Sequence, residues 1–527
     1  MTTITNWALL LEEQAAALND KPFLYLVYQD RSISYGEMDK NANIIANWLL
    51  ESGAIPGEGI AMFMSNSPQF LDIFFGAQKL GMYLNTVNTS LRGEQLSYTI
   101  DNSDTKYLVI DFDLLDIYNA VSAALPKIEK IMVNTLEAPE GYQVPKGMID
   151  LRSAYQDGKA TKPVVDFDQN NILMLMYTSG TTGLPKGVVM RYNKNIIDRL
   201  RLIAALILTP DSIYYTPLQF FHGNALYVTV TSSLIMGSTV AVSKRFSAGR
   251  FWDEIYQSRA TVFNTIGAMI PIMLKQPAST HERDHQVQKI LSAGCPAAMW
   301  ETFENRFHVT IWEAYAAIDG SGFIANFGDG PKGSIGKPMN SVIRVVDTEG
   351  RDVQTGTTGE LLFKTDTGKK SYVEYYKNPD ASGEKTRGEW EYTGDLVYQD
   401  DNGYIYFVGR STDSMRRRGE NVSAYDVEQA ILKNTSVLEC AVYAVPSEMT
   451  EDEIMASVKL VEGYSLPPET LIDFLQDKLA KFAIPRYVRM VDDFPRTETF
   501  RIKKKELKAV AVTPDTYDAE LKKYAAK

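Results

Sequence analysis

The chain has 527 residues, 45% hydrophobic and 23% charged, with a formal charge of −12. These are the proportions of a folded globular protein and exclude extensive disorder, while the acidic balance excludes a general nucleic-acid binder and favours small-molecule partners. Two cysteines, Cys295 and Cys440, and four histidines without paired spacing (His222, His281, His285, His308) exclude a disulfide framework and a Cys/His zinc centre.

The opening residues, MTTITNWALLLEEQ, turn acidic without a basic segment, so no secretory signal is expected and a reducing cytoplasm is the simplest location. Apolar residues at helical spacing predict helices within 36–53 and 67–81. Short β-branched and apolar runs predict strands at 106–111, 130–134, 171–177 and 238–244. Strands alternating with helices imply parallel sheets in an α/β architecture. The longest apolar runs, Ile172–Tyr177 and Leu202–Leu208, fall far short of the roughly 20 residues that span a bilayer.

The texture changes after about residue 340, where 341–365 reads as strand, turn and strand in antiparallel order. A turn-rich, charged stretch then places a domain boundary near Arg410–Asp413. Beyond it, 437–448 and 453–463 read as a hairpin, and 467–482 as a helix with Leu471, Phe474, Leu475 and Leu479 on one face.

One segment carries chemistry. Residues 177–187 read YTSGTTGLPKG, directly after a predicted strand and before apolar and basic text that supplies a further strand or helix. Such composition also makes plain turns. Backbone N–H groups of a glycine-rich loop converge on an anion, hydroxyls add donors, and Lys186 adds a point charge. The Walker spacing is not met, because Gly180 is followed by Gly183 and Lys186 precedes a glycine, which argues against kinase or GTPase chemistry.

This text resembles the phosphate loop of adenylate-forming enzymes, the superfamily of acyl-CoA synthetases, luciferases and peptide-synthetase adenylation domains. Further segments follow in the family's order: SAGCPAAMW from 292, WEAYAAIDG from 312, YTGDLVYQDDNGYIYFVGR from 392 and STDSMRRRGENVSAYDVE from 411. The stretch 224–277 is similar to the fatty-acid-transport-protein and very-long-chain acyl-CoA synthetase branch, and more loosely to carnitine-type CoA ligases. The likeness covers nearly the whole chain. It implies an α/β fold: a large multi-subdomain N-terminal domain with mixed sheets over residues 1–410, and a small mobile α+β C-terminal domain over 411–527.

The resemblance implies an ATP-dependent, AMP-forming acyl-CoA ligase that uses ATP, Mg2+ and coenzyme A. Thr178, Ser179, Gly180, Thr181, Thr182, Gly183 and Lys186 would hold phosphates. Ala293, Gly294 and Cys295 would run along the adenine, Tyr315 would stack on it, and Glu313 and Ala314 would belong to the same nucleotide site. Asp395 would meet the ribose hydroxyls, Arg410 the nucleotide, and Ser411–Asp413 would form a hinge. His222, Gly223, Asn224 and Ala316 would line the acyl site, although a lone histidine is more often structural. Arg416 and Arg418 would meet CoA phosphates beside a thiol tunnel along Gly419, Glu420 and Asn421, while Arg417 reads as a solvated member of the charge run.

Three positions depart from the family's pattern. Ile318 replaces a hydroxyl that meets phosphate, Asp319 replaces the glutamate that holds Mg2+, and Arg501 stands where the adenylating lysine is expected. Two other readings therefore stay open: a weakly active nucleotide- or acyl-adenylate-binding regulator, and an enzyme that passes its acyl group to another acceptor. The acid itself is not legible, and a homodimer stays open.

Overall fold

A computed structural model describes residues 6–178, 184–192, 196–267, 269–320, 322–339, 341–365, 373–411, 414–417, 420–446, 452–497, 501–521 and 523–524. The chain divides into two compact units: the first runs to Asn264 and includes Asp284–Val287 and Val373–Gly383; the second comprises the remainder.

Within the first unit, a seven-stranded sheet has the order Ile149–Asp150, Lys130–Asn134, Tyr107–Asp111, Gly59–Phe63, Tyr83–Thr86, Ile172–Thr178, Lys186–Arg191. All neighbours are parallel except the last pair. Gly59–Phe63 and Tyr107–Asp111 are buried at every position, as central strands of a sheet covered on both faces are. The predicted helices run Tyr35–Glu51 and Pro68–Lys79. Ser34 and Ser67 cap them, each side chain accepting a backbone N–H three residues on. In the same unit Pro22–Leu26 joins Thr239–Val242 and Ile213–Thr216 in parallel order.

In the second unit, Lys289–Ala293 and Thr310–Ala316 are parallel, and Phe323–Asn326 returns antiparallel to the latter. Ser341–Val346 and Gly359–Thr365 form the expected antiparallel pair, continued by Trp390–Gln399 and Ile405–Arg410. A third sheet has the order Val437–Pro446, Asp452–Leu460, Tyr487–Met490, Tyr517–Asp518, Lys523–Tyr524. Helices Ala424–Leu432 and Pro468–Leu475 bury Val427, Ile431, Leu471 and Leu475 against Val442, Ala456 and Val458. The mixed α/β class with a smaller C-terminal α+β part is thus borne out. Among the described residues no helix is long and apolar enough to cross a membrane.

Two expectations are corrected. The helix expected over 467–482 ends at Leu475, where bonding tightens as the Lys478 N–H turns to the Leu475 carbonyl; Phe474 and Leu479 still pack against the core. Arg417 is not solvated: it is 4% exposed, its guanidinium 2.8 Å from Glu453 and donating to the Ile484 carbonyl at 2.7 Å. Glu453 and Glu520 also approach Arg486, which grips Asp518 at 3.1 Å, so a charge network, buried at Arg417, Glu453 and Asp518 and open to solvent at Glu520, fastens residues 518–520 to the hairpin that carries Arg417. Sequence position next to other arginines concealed this, because a charge run says nothing of which member points inward.

Candidate functional site

In the first unit, strand Ile172–Thr178 reverses into strand Lys186–Arg191 with Thr178 opposite Lys186. The Thr178 hydroxyl lies 3.4 Å from the Lys186 carbonyl. Ser179, Gly180, Thr181, Thr182 and Gly183 lie outside the described residues. The Lys186 ammonium stands 5.3 Å from the centre of the Tyr375 ring, which orients the cation without neutralising it.

His222 is half-buried and meets Phe221 edge-on, with ring centres 4.7 Å apart. The loop leading to it is stitched by a residue that carries no motif. Asn66, fully buried, donates to the carbonyls of Leu218 and Ser243 and accepts the Phe220 N–H. Gly223 caps an eight-residue π-helix, Asn224–Thr231, an uncommon element that recurs at functional sites. Asn224 is half-buried, and its side-chain oxygen Oδ1 accepts from the amide of fully buried Asn264.

In the second unit, one strand organises the site. Glu313 and Tyr315, two apart on Thr310–Ala316, point to the same side of their sheet. Glu313 is 2% exposed and accepts the backbone N–H groups of Gly294 and Cys295, so its carboxyl lies beneath the Ala293–Cys295 loop as an anchor. Burial pushes it up to about 7, against the opposing pull of those donors and Ser292. Gly294 has φ +93°, in the left-handed region that favours glycine. Gly267 donates to the Ala293 carbonyl at 2.9 Å, and a Cβ there would lie 2.3 Å from the Gly294 oxygen. Ala293 and Gly294 are left exposed above this support, and Cys295 is buried, its thiol pushed upward by burial and by Glu313.

Tyr315 donates its hydroxyl to Asp395 at 2.5 Å, and its ring stacks 6.1 Å from Phe363. Burial, then the Asp395 charge, drives that phenol well above its usual range, so it remains a donor. Asp395, 2% exposed, pairs with Arg410 at 3.0 Å across adjacent strands. Arg501 is exposed, yet lies near enough to both to feel them: local desolvation and then Arg410 lower its pKa, and Asp395 raises it. Tyr425, on helix Ala424–Leu432, meets Phe407 edge-on and is influenced by Glu313 and Cys295. Strand periodicity could have linked Glu313 to Tyr315, whereas Gly267, Asn66 and Tyr425 had no local signal.

Asp319 does not stand alone. The Lys385 ammonium lies 3.4 Å from its carboxylate, both side chains largely buried. Fully buried Glu391 is the nearest neighbour a Cβ on Gly320 would meet. Among the described residues no three histidine, cysteine, aspartate or glutamate side chains gather as metal ligands. Ile318 is half-buried, Ala314 pairs with Ala325, and Ala316 is exposed at its strand's end. Arg418 and Gly419 lie outside the described residues, as do the side chains of Arg416, Glu420 and Asn421; their backbone forms the hairpin Ser414–Arg417 with Glu420–Ser423.

Residues 11–373 match the AMP-binding enzyme family, and residues 426–501 match the AMP-binding enzyme C-terminal domain. The chain belongs to the AMP-binding enzyme family. A crotonobetaine/carnitine–CoA ligase of Proteus mirabilis is 28% identical over 494 residues, covering 90% of this chain and 93% of that relative. The corresponding Salmonella typhimurium protein is 28% identical over 492 residues, covering 91% and 93%. Among solved structures, an anthranilate CoA ligase in complex with anthranoyl-AMP superimposes with TM-score 0.86 at 24% identity, covering 96% of this chain and 97% of that one. A Burkholderia xenovorans benzoate CoA ligase gives 0.82 at 23% identity, covering 95% and 99%. A Mycobacterium tuberculosis fatty acyl CoA synthetase gives 0.72 at 24%, covering 97% and 99%. These likenesses show that the chain has the fold of this family's members.

Proposed function

We propose that this AMP-binding enzyme is an ATP-dependent acyl-CoA ligase. A carboxylate attacks the α-phosphate of ATP, forming an acyl-adenylate and expelling pyrophosphate; the thiol of coenzyme A then attacks the acyl carbon and AMP leaves. The observation that carries this reading is Asp395, buried, held by Tyr315 and Arg410 and approached by Arg501, in a chain of this family. The curated relatives are named CoA ligases, which supports the acceptor.

In this reading the Ala293–Cys295 backbone lies along the adenine and Asp395 accepts the ribose hydroxyls. Glu313 acts one layer below, fixing the loop rather than touching the nucleotide. The loop from Thr178 to Gly183 and Lys186 bind the outer phosphates. No general base is needed, because the acid arrives ionised; the protein's task is charge neutralisation and alignment. Arg501 supplies the cation between the acid and the α-phosphate. Its guanidinium is broader and planar compared with an ammonium, and it stays charged despite the lowering of its pKa. His222, Gly223, Asn224 and Ala316 border the acyl group.

Among the described residues no resident metal site is built, and Asp319 fits a magnesium ion that arrives as part of the ATP substrate. Magnesium is commonly held by one or two carboxylates together with substrate phosphates, so Asp319 suffices as the protein's ligand. Bound magnesium would neutralise phosphate charge; Lys385 adds a fixed positive charge next to Asp319. Residues 411–527 are read as a domain that turns about Ser411–Asp413, so that Arg416, Arg418 and the Gly419–Asn421 loop serve the CoA step.

Pyrophosphate release over a panel of carboxylic acids, with and without CoA, tests the reading, with thioester and AMP as expected products. No release with any acid would overturn it, and thioester-free release with an amine or carrier would reassign the acceptor. In Arg501→Ala, release should fall at least about 100-fold while a supplied acyl-adenylate is still converted to thioester, as loss of a preorganised charge predicts.

A further inference from the structure

Asn264 is fully buried in the first unit, and both hydrogen bonds of its side chain come from Nδ2: one to the Asn224 oxygen, one to the Thr229 hydroxyl at 2.9 Å. Its own Oδ1 is buried with no partner among the described residues. That orientation is the less costly of the two. A reversed amide would bury an NH2 group with two orphaned donors, and buried orphaned N–H groups are rarer in folded proteins than under-satisfied carbonyls.

The consequence falls on Asn224. Its Oδ1 is turned to Asn264, so the opposite edge of the amide carries Nδ2, which has no partner among the described residues and presents two N–H donors. Asn224 is only half-buried and heads the π-helix directly after His222 and Gly223. The Asn264–Thr229 bond ties the same amide to the sixth residue of that π-helix and so fixes its position along the element. A pocket for a plain hydrocarbon chain gains nothing from an amide locked in this sense, because a donor pair facing an apolar ligand forfeits its water.

We propose that the acid this enzyme activates carries a hydrogen-bond-accepting oxygen on its acyl portion, a hydroxyl, oxo or second carboxylate group, received by the Asn224 amide. The inference rests on the ligase reading and on Asn224 bordering the acyl group. Asn224 is the specificity-determining residue; Asn264 is its positioning residue, acting through the orientation it imposes.

The test is pyrophosphate release by the full chain with matched pairs of acids, equal in chain length, one plain and one bearing the oxygen at successive positions. The expected result is a preference of about 10-fold or more in kcat/KM for an oxygenated acid at one position, the scale on which a site built to hydrogen-bond rejects an analogue lacking the group. Asn224→Leu should erase that ratio to within about twofold, with KM for the plain acid falling. Asn264→Leu, nearly isosteric, should also reduce the ratio while Asn224 is intact. If Asn264→Leu unfolds, the half-buried Asn224 variant still decides. Equal or better use of plain acids at every position, or a preference that survives Asn224→Leu, overturns the inference and leaves the ligase reading standing. Absence of release with every acid overturns both.

Discussion

Glu313 makes the Ala293–Cys295 loop sensitive to pH in a direction opposite to that of most carboxylates. In the folded chain its carboxyl is pushed from 4.5 up to about 7 by burial, despite two backbone donors. Between those values the folded state holds a proton that the unfolded state has lost, so stability is full below about 4.5 and is lost as pH rises through about 7. A displacement of that size corresponds to something on the order of 3 kcal/mol. Glu313→Gln keeps an acceptor for one N–H and has no proton to lose, at a cost of about 1 kcal/mol for the second bond. Thermal unfolding of both proteins from pH 5 to pH 8.5 isolates the residue, because Asp72 and Asp111, whose carboxyls burial raises to about 7 and about 6, contribute equally to both. The wild type should be the more stable at acidic pH and lose that advantage, by a few degrees, above neutrality. Curves that stay parallel would refute the reasoning, and would mean that the N–H donors outweigh burial.

Gly267→Ala puts a Cβ 2.3 Å from the Gly294 oxygen, so AMP affinity should fall about 10-fold in calorimetry while the fold is kept. Lys385→Met strips the cation from Asp319, and ATP binding should weaken severalfold, more so in EDTA, with AMP binding unchanged; equal ATP affinity with and without the lysine would show that the pair faces no phosphate. Arg417→Met leaves Glu453 with Arg486 at 3.8 Å as its remaining cation and should destabilise the C-terminal region by about 3–5 kcal/mol in denaturant unfolding, a loss a solvated arginine would not cause.

The arrangement on strand Thr310–Ala316 joins two tasks. Glu313 holds a loop from below while Tyr315, on the same side, holds the carboxylate of Asp395. Loop and carboxylate are thereby tied to one rigid element, which gives their spacing a precision that separate loops lack. Arg501 acts on Asp395 and Arg410 through its charge from a different stretch of chain, so a displacement of residue 501 would change the field around Asp395 without disturbing that frame.

The sequence by itself determined the family, through its ordered motifs, and the alternating α/β order, through apolar periodicity, and it named Tyr315, Asp395 and Arg410 as candidates, because all of these are written in neighbouring residues. It also exposed Ile318, Asp319 and Arg501 as departures. What replaces or supports those residues was decided only by tertiary structure. Lys385 reaches Asp319 from 66 positions away along the chain numbering, and Asn66 stitches the loop before His222 from more than 150. Arg417 and its neighbours look alike as text, yet only a folded sheet, by placing Glu453, Ile484 and Glu520 around one guanidinium, turns Arg417 inward. Asn264 likewise carries no motif in the text, and its meaning depends on which of its amide atoms finds a partner, a matter of distance in space.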